Sequence, residues 1–235
     1  MKKFLFIVAV LGLGWWYTHR GGGGCGTSGA VECPSAELEE GIGVTLAASD
    51  VCPGAGYLCY QRSSFQVVRW PLDKGKLKIH APRPDFVNGE LWENVRDAVI
   101  DGFREWDGHP FPLVIDTGKL STGADITVAW VQSDANSGQV GHVRVNFRPD
   151  GKRLRYSADN LTIVVPSELS PAALDRVRST AAHELGHALG LLHSDAPRDL
   201  MYGQYPQNGG RVVPTARDFQ TVDALYALPN GAKIQ

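Results

Sequence analysis

Neither sign of charge dominates this chain: 23 Lys and Arg stand against 25 Asp and Glu, a formal net charge of −2 at pH 7. That balance excludes the broad cationic surface with which proteins neutralise a nucleic-acid backbone. No internal repeat is evident. Apolar runs long enough to span a bilayer are missing as well: Phe4 to Tyr17 would cover about 21 Å as a helix, against a hydrocarbon core of about 30 Å. With Lys2 and Lys3 ahead of it, this run has the charge order of an export signal. No Ala-x-Ala cleavage site follows, and Trp15, Trp16 and Tyr17 before Arg20 resemble an interfacial belt. Residues 1–20 therefore read either as a cleaved signal peptide or as a membrane anchor retained through residues 4–17. Both readings place the body of the chain outside the cytoplasm.

Cysteine is sparse. Cys25, Cys33, Cys52 and Cys59 all precede the regular part of the sequence, and an even count in an oxidising compartment reads as disulfides. Three pairings are open, of which Cys52 with Cys59, bracketing the turn-rich PGAGYL, is the easiest to close. A cysteine that ligates a metal and holds the protein latent is the sharper alternative, but neither VECPS nor DVCPG resembles an inhibitory motif.

What is present divides into three parts. Behind the leader, residues 21–64 form a Gly-rich linker and a cysteine-bearing extension, without an assignable function. Residues 65–235 carry regular patterning and form the main domain. FQVVRW (65–70), KLKIH (76–80), PLVIDT (112–117), ADITVAWV (124–131), GHVRVNF (141–147) and NLTIVV (160–165) are strand candidates, β-branched or alternating and bounded by turn residues. Between the second and third, Leu91, Val95, Ala98, Val99, Phe103 and Trp106 recur near helical spacing and predict an amphipathic helix over 88–106. A second helix starts at Ser170, a good N-cap, with Pro171 at the first helical position. Leu174, Val177, Ala181, Leu185 and Ala188 form its apolar face. ARDFQTVDALYAL (216–228) forms the last helix, with Phe219, Val222, Leu225 and Tyr226 inward. The fold class is α+β: a mixed twisted sheet with a backing helix, a long central helix and a C-terminal helix.

The central helix carries the chemistry. His183 and His187 lie four apart, about 400° of rotation, so both imidazoles can grip one ion from a single helical face. Glu184 sits about 100° round from His183, awkward as a ligand but within reach of a water at the metal, which is the place of a general base. Gly190 can take a positive φ and end the helix, turning His193 back toward the metal as a third ligand. Three histidines leave a fourth position open, the mark of catalytic rather than structural zinc. One catalytic zinc ion is the expected cofactor.

His183 to Ser194 (HELGHALGLLHS), followed by LMY at 200–202, resembles the metzincin clan of zinc endopeptidases, and within it the matrixin-like branch. The resemblance covers roughly residues 66–228 and is strongest over 177–202. It implies a metzincin, zincin-like fold with His183, His187 and His193 on zinc and Glu184 as general base and acid. It further implies that Met201 in the Met-turn supports the ligands, and that Tyr202 and Tyr205 border the pocket for the side chain after the scissile bond. GHVRVNF becomes the edge strand on which an extended peptide or protein substrate pairs. Three departures stand out: the cysteine-containing propeptide motif and the long His- and Asp-rich metal loop of animal matrix metalloproteinases are absent, and Gly203 stands where Pro is usual. The expected function is an extracytoplasmic zinc-dependent endopeptidase. The alternative is a non-catalytic zinc-binding envelope or adhesion module on the same fold, which would have no need of Glu184.

Overall fold

The computed structural model describes residues 38–235 apart from 61–63, 88, 120–122, 133–139, 168–169 and 207–209. The leader, the Gly-rich linker, Cys25 and Cys33 lie outside the described residues. In chain order the elements are β1 (Thr45–Leu46), α1 (Ala48–Val51), β2 (Phe65–Gln66), β3 (Leu77–His80), α2 (Gly89–Arg104), β4 (Leu113–Asp116), β5 (Ile126–Gln132), β6 (Gly141–Asp150), β7 (Arg153–Val165), α3 (Pro171–Ala188), α4 (Ala216–Tyr226) and β8 (Lys233–Ile234). The α+β class holds.

Five strands form the main sheet in the order β4-β3-β5-β7-β6, parallel throughout except that β6 runs antiparallel to β7. Parallel neighbours need a crossover, and α2 supplies the one from β3 to β4. Its apolar stripe is buried as its spacing predicts: Val95, Ala98, Val99 and Phe103, with Trp106 just beyond the helix, are at most 1% exposed. Gly102 lets α2 lie close to α3, since a Cβ there would fall 2.2 Å from the Arg178 carbonyl oxygen.

Two strands run differently from their expected bounds. β7 begins at Arg153 rather than near Asn160, and its first half pairs only with β6, β5 joining from Asn160 onward. Leu154, Tyr156 and Ala158 alternate inward there with Arg155, Ser157 and Asp159 between them, a period-two pattern that already stood in the sequence. FQVVRW pairs as a strand only at Phe65–Gln66. Beyond it the chain turns into the core, where fully buried Arg69 meets Glu39 at 2.9 Å and Trp70 donates to the Ala188 carbonyl at 2.8 Å. A buried guanidinium is tolerable only when paired, and the Leu38, Trp70 and Leu228 carbonyls take its other protons.

A second sheet, in the order β1-β8-β2, sets β8 between two strands from the N-terminal side. The extension is thus woven onto the main domain. Cys52 and Cys59 are joined, closing a loop whose Tyr57 side chain is buried.

Candidate metal centre

Helix α3 starts as its sequence dictates, with the Ser170 hydroxyl accepting from the Ala173 amide at 3.1 Å and Pro171 in the first turn. Val177, Ala181, Leu185 and Ala188 enter the core, Leu174 packs at its margin, and His183 and His187 face the cleft. Gly190 has φ +103°, and the Leu191 amide donates to the Gly186 carbonyl at 3.0 Å while the Gly190 amide donates to His187 at 2.9 Å. This is a Schellman ending, which spends two orphan carbonyls and redirects the chain.

The redirected chain brings His193 back, leaving its Nε2 3.2 Å from that of His187. Donor atoms of His183, His187 and His193 all lie within 4.8 Å of one another, the one such trio of metal-ligating side chains among the described residues. His183 Nδ1 donates to the Leu200 carbonyl at 2.7 Å and His187 Nδ1 to the Leu191 carbonyl at 2.8 Å. A carbonyl only accepts, so both protons are assigned to Nδ1 and each Nε2 keeps its lone pair for a metal. Burial pushes the His187 imidazole down to about 3 and also lowers His183 and His193, which keeps all three neutral near pH 7. A neutral, converging, nitrogen-only set fits zinc, whose ligands in a tetrahedron lie about 3.4 Å apart for bonds of about 2.1 Å.

Glu184 is 5% exposed and lines the same cleft. Its Oε2 has no hydrogen-bond partner in the protein, and burial raises its pKa to about 7. Gly141, the first residue of β6, makes room for it: a Cβ there would fall 2.8 Å from Glu184 Cγ and 2.7 Å from Thr180 Cγ2. In the zinc-free protein the raised pKa has a thermodynamic sign. The folded state holds this proton more tightly than the unfolded chain, so stability is full below about 4.5 and is lost as pH rises through about 7. Replacing Glu184 by Gln removes that loss. The zinc-free variant is expected to gain on the order of 2–3 kcal/mol over the zinc-free wild type between pH 4.5 and 8, measured by urea unfolding. A pH-independent difference would contradict it.

Met201 is fully buried against the α3 backbone at Gly186, where a Cβ would meet its sulfur at 2.4 Å. The Met201 carbonyl accepts from the Ser194 amide at 2.8 Å, linking this turn to the segment that carries His193. Tyr202 and Tyr205 line the cleft, with Thr180, Leu200 and Val212 close by in a volume of about 930 Å³. At Gly203 a Cβ would stand 3.2 Å from His193 Nδ1, so a side chain there would press on the third imidazole. The other histidines among the described residues lie elsewhere: His80 bonds the Gly118 carbonyl, His109 packs on Phe219, and His142 reaches Thr162 on β7.

Asp218 is the support that the sequence pattern conceals. Wholly buried, its carboxylate accepts from the amides of Leu200 at 2.9 Å, Met201 at 3.3 Å and Thr215 at 2.7 Å. Thr215-x-x-Asp218 is a capping box at the start of α4, and the spacing was available as a signal. Its second task, holding the Met201 turn, depends on a tertiary contact.

The matrixin family profile matches residues 88–227. Among individual relatives, the Arabidopsis thaliana metalloendoproteinase 2-MMP is 29% identical over 69% of this chain and 44% of its own length. Metalloendoproteinase 1-MMP from the same plant is 30% identical over 59% of this chain and 39% of its own. A Glycine max metalloendoproteinase 1 is 32% identical over 40% and 31%. The chain thus matches less than half the length of each of these relatives.

Proposed function

The chain belongs to the matrixin family, and from that footing we propose that it is a zinc endopeptidase acting outside the cytoplasm. His183, His187 and His193 hold the ion, and Glu184 is the general base and then the general acid. Zinc held there supplies Lewis acidity, polarising a carbonyl and lowering the pKa of water to about 7.

The observation that carries the reading is the Glu184 carboxylate. Burying it with one oxygen lacking a protein partner costs free energy, a cost that a module built only to bind metal has no use for. The carboxyl, whose pKa burial raises in the zinc-free protein, is placed to accept the water proton and later deliver it to the leaving amine. Among the described residues, edge strand β6 pairs on one side only, and its Gly141, His142 and Val143 line the cleft. An extended peptide adding there gains main-chain hydrogen bonds regardless of its sequence. The wall of Thr180, Tyr202, Tyr205 and Val212 receives the side chain that follows the scissile bond.

A quenched peptide library incubated with zinc-loaded protein tests this directly. Cleavage is expected, with loss on addition of a chelator and recovery on restoring zinc. Zinc-loaded protein that cleaves no peptide would favour the binding module instead.

A further inference from the structure

The loop closed by Cys52 and Cys59 is docked on α4 more closely than a simple extension requires. Tyr57 donates its amide to Thr221 Oγ1 at 3.2 Å, Gln220 Nε2 donates to the Gly54 carbonyl at 2.6 Å, and the Arg217 guanidinium lies 5.3 Å from the Tyr57 ring centre. At Gly56, φ is +62° and a Cβ would collide with Thr221 Oγ1 at 2.1 Å, so no other residue brings the loop this near. The contact ends at one atom: the phenol of Tyr57, 3% exposed, donates to Asp218 Oδ1 at 2.8 Å.

Packing accounts for the ring, whereas the hydroxyl is spent on the buried Asp218 carboxylate, which a Phe here would leave with one donor fewer. What the hydroxyl does is visible on the far side of the carboxylate. Asp218 Oδ2 accepts from the Leu200 amide and Oδ1 from the Met201 amide, and the Leu200 carbonyl accepts from His183 Nδ1. A continuous path of three hydrogen-bonded links therefore runs from Tyr57 through Asp218 and Leu200 to the His183 ring. The other donors to Asp218, from Thr215, Leu200 and Met201, lie on the α4 and Met201 segments themselves. Among the described residues, only Tyr57 reaches it from the extension. Burial beside Asp218 raises the phenol pKa, so Tyr57 stays a donor throughout the working pH range.

We propose that Tyr57 is a positioning residue for the metal centre: held by the Cys52–Cys59 loop, its hydroxyl fixes the Asp218 carboxylate and through it the Leu200 carbonyl that aims His183. This rests on His183 being a metal ligand, not on peptide hydrolysis. Groups that orient a ligating imidazole are worth roughly 10–100-fold in metal affinity, and Tyr57 acts through one further residue, so about 10-fold is expected of it.

The test uses the full chain and two variants. Tyr57→Phe keeps the buried ring and removes only the donor. Glu39→Gln breaks the buried pair with Arg69, another anchor of the same extension that leads to no metal ligand. Zinc affinity is read by competition with a chromophoric chelator, and amide exchange at Leu200 and Met201 is read on zinc-free protein, both well below the unfolding transition. Tyr57→Phe is expected to bind zinc about 10-fold more weakly and to exchange both amides faster. Glu39→Gln is expected to lower the unfolding midpoint and change neither. Equal zinc affinity and exchange in Tyr57→Phe and wild type would overturn the proposal, as would Glu39→Gln reproducing both effects. A wild-type chain that binds no zinc would instead remove the metal-centre reading beneath it.

Discussion

Glu184→Gln is expected to retain zinc at wild-type stoichiometry and to lose roughly 10² to 10⁴ in the rate of peptide cleavage, the usual worth of a positioned general base. Gln is the informative substitution because the space is tight. Gly141 and Thr180 crowd this side chain, and an amide of the same shape keeps β6 in place, whereas Ala would leave a gap beside the strand edge. The amide cannot take the proton of water. Since Glu184 Oε2 pairs with nothing in the protein, its removal leaves no buried donor stranded, and the loss falls on kcat with KM little changed. Metal analysis alongside steady-state kinetics separates a missing base from missing zinc. Equal turnover by variant and wild type would remove Glu184 from the reaction.

The largest effect on stability is expected at Asp218, well away from the cleft face of α3. Asp218→Ala deletes the acceptor for the Tyr57 phenol, the amides of Leu200, Met201 and Thr215, and the Thr215 hydroxyl. Tyr57, Leu200 and Met201 are themselves buried, so their donors have little water to turn to, while the partly exposed Thr215 can still reach solvent. Breaking a buried charged network from one side costs roughly 3–5 kcal/mol, most of it in the partners left unpaired. Denaturant unfolding of the zinc-free variant measures this without the metal's own contribution. Asp218→Asn, which keeps the shape but turns a donor toward donors, should fall between Ala and wild type. A loss below about 1 kcal/mol for Asp218→Ala would mean that the network is replaced by solvent.

What could be read in the sequence was what is local. His183, Glu184, His187, Gly190 and His193 fall within one helix and its exit, so helical periodicity and one glycine fix their geometry. Ser170 and Pro171 mark where that helix begins for the same reason. The pair Cys52 and Cys59 was also legible as the shortest closure. Hidden from the sequence were contacts between distant segments. Tyr57 and Asp218 are 161 residues apart, and neither stands in a pattern that names the other. Arg69, inside what alternation reads as a strand, is charged and yet fully buried, because Glu39 and three backbone carbonyls await it. Two-residue strands such as β1 and β8 are too short for any period to reveal.

The placing of β8 between β1 and β2 also orders events in time. On a ribosome, β1 and β2 emerge before α2, the main sheet and α3, yet their partner in the small sheet is Lys233–Ile234. Contacts of such sequence separation form late and slowly. The small sheet can therefore close only after the residues of the main sheet, α3 and α4 have been made.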